Sequence, residues 1–79
     1  MWHIYMLKCS DDTLYTGITT DLSRRVGEHN NSSKGAKYTR VRRPVELIYS
    51  ESCHDKSSAS KREYQIKQLS KIQKLSLLK

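Results

Sequence analysis

Two short runs rich in aromatic and β-branched residues open the chain, and a polar turn separates them. Trp2 to Lys8 is the first run and Thr13 to Thr19 is the second, with Ser10-Asp11-Asp12 between them. Aromatic and β-branched side chains favour strands, whereas Ser and Asp favour turns. The pattern predicts an antiparallel β-hairpin, which limits which side chains of the two strands can share a face.

Capping residues and helical spacing predict three helices after the hairpin. The predicted helices cover about residues 22–29, 59–69 and 71–78, and their expected N-caps are Thr20-Asp21, Ser57-Ser58 and Ser70, which forms a capping box with Gln73. The apolar side of the last helix would consist of Ile72, Leu75 and Leu78, and we expect the core to use it.

One further strand and one long loop complete the predicted fold. Val45 to Tyr49 is the third predicted strand, and Asn30 to Arg43 has no clean periodicity, so we expect a basic loop there. We therefore predict an α+β fold with a small three-stranded, mainly antiparallel sheet flanked by three helices, in the order ββαβαα. The length of 79 residues suits one small domain over 1–79.

Positive charge is concentrated in the middle of the chain. The formal net charge is +7, and residues 24–43 contain seven basic side chains but a single acid, Glu28. Such a surface attracts polyanions, of which nucleic acid is the commonest and a membrane surface is the rival. No apolar run approaches the ~20 residues that span a bilayer. The last predicted helix is amphipathic, but it is short and the core needs its apolar side, so we expect no membrane partner.

The two cysteines, Cys9 and Cys53, each lie at the end of an apolar run. Two cysteines do not make a disulfide framework, and they match no metal-binding spacing. We expect reduced, semi-buried thiols in a cytoplasmic protein, which could be neighbours in space.

The hairpin is expected to bring two phenols together. A turn centred near Ser10 would make Tyr5 and Tyr15 cross-strand neighbours on one face of the sheet. One alternative is an aromatic pair that only stabilises the hairpin. Phenols can also position or deprotonate water if nearby positive charge lowers their pKa.

Polar residues lie on the predicted inner stripes of two helices. Arg25 and His29 share a stripe with Leu22 and Val26, although they could instead lie at its solvated edge. Glu63 lies on the stripe of the second helix, where it could bind a metal ion. It could equally form a capping box with Ser60 or a surface pair with Lys67. Two phenols, a guanidinium, an imidazole and a carboxylate form a set that can hydrolyse a phosphodiester.

The order of these residues resembles the GIY-YIG nuclease superfamily, and most closely its small stand-alone bacterial members. The matching runs are Ile4-Tyr5, Tyr15-Thr16-Gly17, Asp21-Leu22-Ser23-Arg24-Arg25, Glu28-His29-Asn30, Lys34 to Arg40, Pro44 to Leu47, Glu63 with Ile66-Lys67, and Lys74-Leu75. No single motif is specific, but the ordered set is. His3 stands where the family has its first glycine, and Thr16 replaces the isoleucine of the second motif.

The resemblance implies a metal-dependent DNA endonuclease, possessing some structure selectivity and linked to DNA repair or recombination. Tyr5 is expected to orient and deprotonate water, with His29 as the alternative base, while Tyr15 and Arg25 bind phosphate and Glu63 holds Mg²⁺ or Mn²⁺. The expected DNA-binding residues are Arg24, Lys34, Lys37, Tyr38, Arg40, Arg42 and Arg43.

The expected partners and the rival function complete the sequence-based hypothesis. We expect DNA as the partner and no small-molecule cofactor. A recognition domain is not expected in so short a chain, so a protein partner, weak homo-oligomerisation or DNA shape would supply specificity. The rival function is a non-catalytic nucleic-acid-binding module, which would need the basic loop but not the tyrosines.

Overall fold

A three-stranded antiparallel sheet with the strand order β2-β1-β3 lies at the centre of the computed structural model, which describes residues 1–78. The elements are β1 (Trp2–Lys8), β2 (Leu14–Thr19), α1 (Leu22–Asn31), α2 (Lys37–Arg40), β3 (Glu46–Cys53), α3 (Lys56–Lys67) and α4 (Lys71–Ser76). The predicted α+β class and element order are confirmed. The segment predicted to be a loop additionally contains the single helical turn α2.

The central strand β1 is buried on both faces, because helices cover both sides of the sheet. Ile4 and Met6 pack with Ala59 and Ile66 of α3 on one face. On the opposite face Tyr5 packs in a second cluster, against which α1 lays apolar side chains. The alternation of the strand thus separates a layer beneath α3 that is apolar except for Thr16 from a layer beneath α1 that holds the polar residues described below.

Aspartates cap two of the helices. The Arg24 backbone N–H donates to Asp21 Oδ1 at 3.0 Å, as the sequence predicts. The predicted Ser57-Ser58 cap of α3 is wrong: the helix begins one turn earlier, where Asp55 Oδ1 accepts from the Ser58 backbone N–H at 2.8 Å. Asp55 is the N-cap because a carboxylate caps the start of a helix as well as serine does and also interacts favourably with the helix dipole.

The two predictions about α4, its N-terminal cap and its apolar stripe, differ in outcome. The Ser70–Gln73 capping box is present. However, the predicted apolar stripe does not pack as a unit, because Ile72 is 82% exposed and Leu77 is the side chain that reaches the core. The helix ends at Ser76 rather than at Leu78, so the periodicity does not extend to its last residues.

The two cysteines are free thiols, with Cys9 buried and Cys53 half-buried, as predicted. They are not neighbours. Cys53 pairs with Trp2 at the start of β1, whereas Cys9 follows the last residue of that strand. The length of β1 therefore separates them, which is roughly 20 Å at ~3.3 Å per residue. Across residues 1–78, none of the helices has the length and apolar character needed to traverse a bilayer.

Candidate active site

The hairpin register determines how the two tyrosines meet. Tyr5 lies opposite Gly17 and Tyr15 lies opposite Leu7, so the predicted direct pairing of the tyrosines is wrong by two residues. The turn is centred on Asp11 rather than near Ser10, and it is closed by the Cys9 N–H donating to the Thr13 carbonyl at 2.9 Å. A shift of two residues keeps both tyrosines on one face, as diagonal neighbours with ring centroids 6.4 Å apart.

Gly17 is required by the position of the Tyr5 ring. A Cβ atom at Gly17 would lie 2.5 Å from the Tyr5 hydroxyl oxygen and 2.7 Å from Cζ. The ring therefore lies directly across the glycine, and any side chain at this position would displace it. This role of the glycine in the Tyr15-Thr16-Gly17 motif was missed from the sequence, where isolated glycine in a strand signals only that something approaches closely.

A chain of buried hydrogen bonds links three elements. The Tyr5 hydroxyl lies 2.8 Å from His29 Nε2, and His29 Nδ1 lies 2.8 Å from Thr39 Oγ1. The Thr39 hydroxyl donates its only hydrogen to the Ala36 carbonyl at 2.9 Å, so it can only accept from His29. His29 therefore carries its hydrogen on Nδ1, and Nε2 accepts the hydrogen bond from Tyr5. Thr39, on α2, was missed from the sequence.

Burial keeps this pair neutral. His29 is 0% exposed, and its burial lowers its pKa to about 4, with the Arg25 charge acting in the same direction. Burial raises the pKa of Tyr5 to about 12, which the nearby Arg25 guanidinium opposes. The sequence-based alternative that His29 lies at a solvated edge is therefore wrong. The resting site holds a neutral phenol bonded to a neutral imidazole.

Arg25 lies on α1 beside this pair and is half-buried. Its Nη1 donates to Glu28 Oε1 at 2.9 Å and to the Lys34 carbonyl at 2.9 Å. The same hydrogen bond lowers the pKa of the Glu28 carboxyl. The anionic partner that a partly buried arginine needs is thus supplied within the chain. From the sequence, Glu28 was identified as the single acid of a basic segment and as part of the run Glu28-His29-Asn30, but not as the partner of Arg25.

Glu63 lies on α3 with its side chain 23% exposed, and its Oε2 is 3.4 Å from Lys67 Nζ. The surface-pair alternative is thus observed, whereas a Ser60 capping box is excluded because Asp55 caps the helix. The Glu63 charge contributes to the raised pKa of Tyr5, so the carboxylate lies within electrostatic range of the phenol. Residues 1–78 contain no group of three or more His, Cys, Asp or Glu side chains arranged for a metal.

The predicted DNA-binding residues differ in exposure and in the groups that they contact. Arg24, Lys34, Lys37 and Arg40 are exposed. Arg43 instead donates from Nε to the His29 carbonyl at 2.6 Å and covers the C-terminal carbonyls of α1, so its fork has a structural role. Arg42 lies over the Tyr38 ring with Cζ 3.9 Å from the centroid.

The rings of the site form one aromatic cluster. The centroid of Tyr15 lies 5.1 Å from that of His29 and 5.9 Å from that of Tyr38. Tyr15 thus connects the buried imidazole to a ring that is 38% exposed. The structure therefore brings Tyr5, Tyr15, Arg25 and His29 together on the α1 face, with Glu63 approaching from α3.

Comparisons with known proteins identify the family of the chain. A family model described as the GIY-YIG catalytic domain matches residues 1–76, a range that includes every candidate site residue. A UPF0213 protein of Desulfotalea psychrophila is 62% identical over 78 residues, covering 99% of this chain and 71% of that protein. A UPF0213 protein of Halobacterium salinarum is 58% identical over 77 residues, covering 98% and 99% respectively. The solution NMR structure of a UPF0213 protein from Bacillus halodurans has a TM-score of 0.61 and 43% identity, covering 99% of this chain and 83% of that chain.

Proposed function

Because this chain belongs to the GIY-YIG catalytic-domain family, we propose that it is an endonuclease that hydrolyses DNA phosphodiester bonds with one divalent metal ion. The observation that carries the proposal is the buried hydrogen-bond chain from Tyr5 through His29 to Thr39. A hairpin-stabilising aromatic pair needs no such chain. A residue that removes a proton from water does need an acceptor for its own proton.

Tyr5 and His29, which the sequence left as alternative bases, act as one unit in this proposal. The Tyr5 oxygen takes a proton from the attacking water while its own proton passes to His29 Nε2. The Nδ1–H bond to Thr39 keeps Nε2 free to accept it. With pKa values of about 12 and about 4, the transfer is strongly unfavourable in the resting site. Further positive charge beside Tyr5 would lower the Tyr5 pKa and make its deprotonation less unfavourable.

Arg25 and Tyr15 are proposed to hold the scissile phosphate. Arg25 is bonded to Glu28 in the free protein, so the guanidinium is already oriented when an anion arrives. Its charge compensates the charge that develops on the phosphate oxygens. The Tyr15 hydroxyl would add a neutral hydrogen bond to the same group.

The metal ligand in this proposal is Glu63. A single carboxylate suits Mg²⁺ or Mn²⁺, since these ions usually keep several waters and bind substrate phosphate as well. The partner of Glu63, Lys67, is 49% exposed and can turn into solvent when the carboxylate is needed. When bound, the ion would supply Lewis-acid polarisation of the phosphate and positive charge that lowers the pKa of Tyr5.

The test is a cleavage screen with Glu63→Ala over duplex, nicked, flapped and branched DNA in Mg²⁺ and Mn²⁺. We expect the variant to lose cleavage by at least ~100-fold, since a metal supplies several kcal/mol of charge stabilisation. Glu46→Ala is the matched control, because Glu46 is an exposed glutamate of β3 outside the proposed site. Cleavage by Glu63→Ala at the wild-type rate would refute the assignment. Salt-sensitive binding without cleavage by the wild-type protein would favour a non-catalytic binding module.

A further inference from the structure

The most exposed ring of the aromatic cluster has an unusual cover. Tyr38 rests against Tyr15, with centroids 5.9 Å apart and ring planes inclined by 27°. The Arg42 guanidinium lies over the Tyr38 ring, and its Nη1 also donates to the Tyr38 carbonyl at 2.8 Å. A planar cation thus occupies the position in which a planar ligand would stack.

A third contact of Arg42, an ion pair with Asp11, is exposed. Arg42 Nε bonds to Asp11 Oδ2 at 3.0 Å, with the two side chains 31% and 45% exposed. Ion pairs at such positions contribute little, because water and salt screen them. The cation–π contact and the hydrogen bond to the Tyr38 carbonyl are also partly exposed, so water or a DNA phosphate can replace all three contacts at modest cost. The ring beneath stays in place because it packs on Tyr15.

We propose that Tyr38 is a stacking platform for an unpaired DNA base beside the scissile phosphate, and that Arg42 covers the platform until the base replaces it. Only Tyr15 separates Tyr38 from His29, so a base on this ring would belong to a nucleotide adjoining the reacting one. Aromatic rings beside a basic surface are the usual means of binding single-stranded DNA.

The preference for an unpaired base follows from stacking geometry. Inside a duplex, both faces of a base contact neighbouring bases, so the base reaches a protein ring only after leaving the stack. A flap, gap or single strand presents such a base at no unstacking cost. This inference rests on the proposed nuclease function and names the DNA structures that function would favour.

The experiment uses single-stranded oligonucleotides with 2-aminopurine at successive positions, titrated with the full chain in EDTA. Stacking on Tyr38 should quench the fluorescence at one or two positions. Tyr38→Phe keeps the ring and should retain the quenching. Tyr38→Leu should lose it and weaken binding by about 5- to 100-fold, with less than about a twofold change for a blunt duplex of the same sequence.

Arg42→Gln separates the ring from the charge. In the complex the displaced Arg42 would pair with a DNA phosphate, so this variant should retain the quenching but reduce the dependence of affinity on salt by about one phosphate contact. Tyr38→Leu should leave the salt dependence unchanged. Thermal melts of each variant confirm that the fold persists.

Two results would overturn the platform. One is that the wild-type protein quenches the fluorescence at no position of the oligonucleotide. This measurement does not depend on whether any variant folds. The other is a Tyr38→Leu variant that binds single strands with wild-type affinity, or that loses affinity for single strands and for duplex to the same extent. Because metal is absent, the outcome is independent of catalysis. Quenching without cleavage in any metal refutes the nuclease proposal alone, and cleavage without quenching refutes the platform alone.

Discussion

Acid should destabilise this protein through His29. The ordinary pKa of 6.5 falls to about 4 in the folded state because burial disfavours the charged ring. The unfolded chain therefore binds this proton more readily than the native protein does. The stability that neutral His29 contributes is fully present above about pH 6.5 and is lost as the pH falls toward about 4.

The size of the loss follows from the two pKa values. Between pH 7 and pH 4.5, the difference from 6.5 to about 4 costs roughly 2.5 kcal/mol of the free energy of unfolding. A chain of 79 residues has a total stability of about 4 to 12 kcal/mol, so the loss is a large share. Urea denaturation at a series of pH values measures it.

His29→Gln isolates this contribution, because glutamine can accept from Tyr5 but does not titrate. Carboxylates such as Glu51 and Asp55 also have lowered pKa values, through Arg62 and through the Ser58 backbone N–H respectively. Their acid response is common to both proteins and cancels in the difference. A wild-type-minus-variant difference that stays flat from pH 7 to pH 4.5 would show that His29 is not held neutral by burial.

Substitutions at Gly17, Thr16 and Thr39 test separate parts of the fold. Gly17→Ala should displace the Tyr5 ring and lower both stability and cleavage. Gly27→Ala is the control: its added Cβ would have nothing within 4 Å, so it should raise stability by about 0.5–1 kcal/mol. Equal effects of the two substitutions in urea denaturation would contradict this prediction. Thr16→Val should stabilise the protein by about 1 kcal/mol, since the buried Thr16 hydroxyl has no hydrogen-bond partner among residues 1–78; a lower urea midpoint would refute it. Thr39→Val should cost about 1–3 kcal/mol by leaving His29 Nδ1–H without an acceptor. Thr39→Ser should restore most of that loss, and ¹⁵N NMR of the wild-type imidazole should show the hydrogen on Nδ1; a hydrogen on Nε2 would refute the assignment.

The sequence was most informative where local rules act alone. The hairpin, the Asp21 cap and the Ser70 capping box depend on neighbouring residues, and all three were predicted correctly. The register was not, because the turn includes Asp12 in the left-handed region at a φ of 71°. Without a glycine or asparagine at that position, nothing in the sequence marks the centre of the turn one residue later.

Partners that meet only in three dimensions were beyond the sequence. Thr39 contacts His29 from a helical turn of four residues, which is too short to produce a periodic signal. Leu77 packs on the core in place of the expected stripe of α4, because periodicity predicts an apolar side but not how the helix docks on the sheet. The same limit applies to Glu28, because its position three residues after Arg25 permits an ion pair on a helix but does not establish one.

The position of Thr39 connects the basic segment to the proposed chemistry. Thr39 fixes the tautomer of His29, and it lies between Tyr38 and Arg40 in the segment predicted to bind DNA. If α2 shifts, the Nδ1–H loses its acceptor, and Nε2 is no longer reserved for the Tyr5 proton. In the proposed nuclease this connection would be useful, because the proton acceptor is correctly set only when the segment predicted to bind DNA is in its folded position. The basic segment predicted to bind DNA therefore also supplies the last member of the buried hydrogen-bond chain.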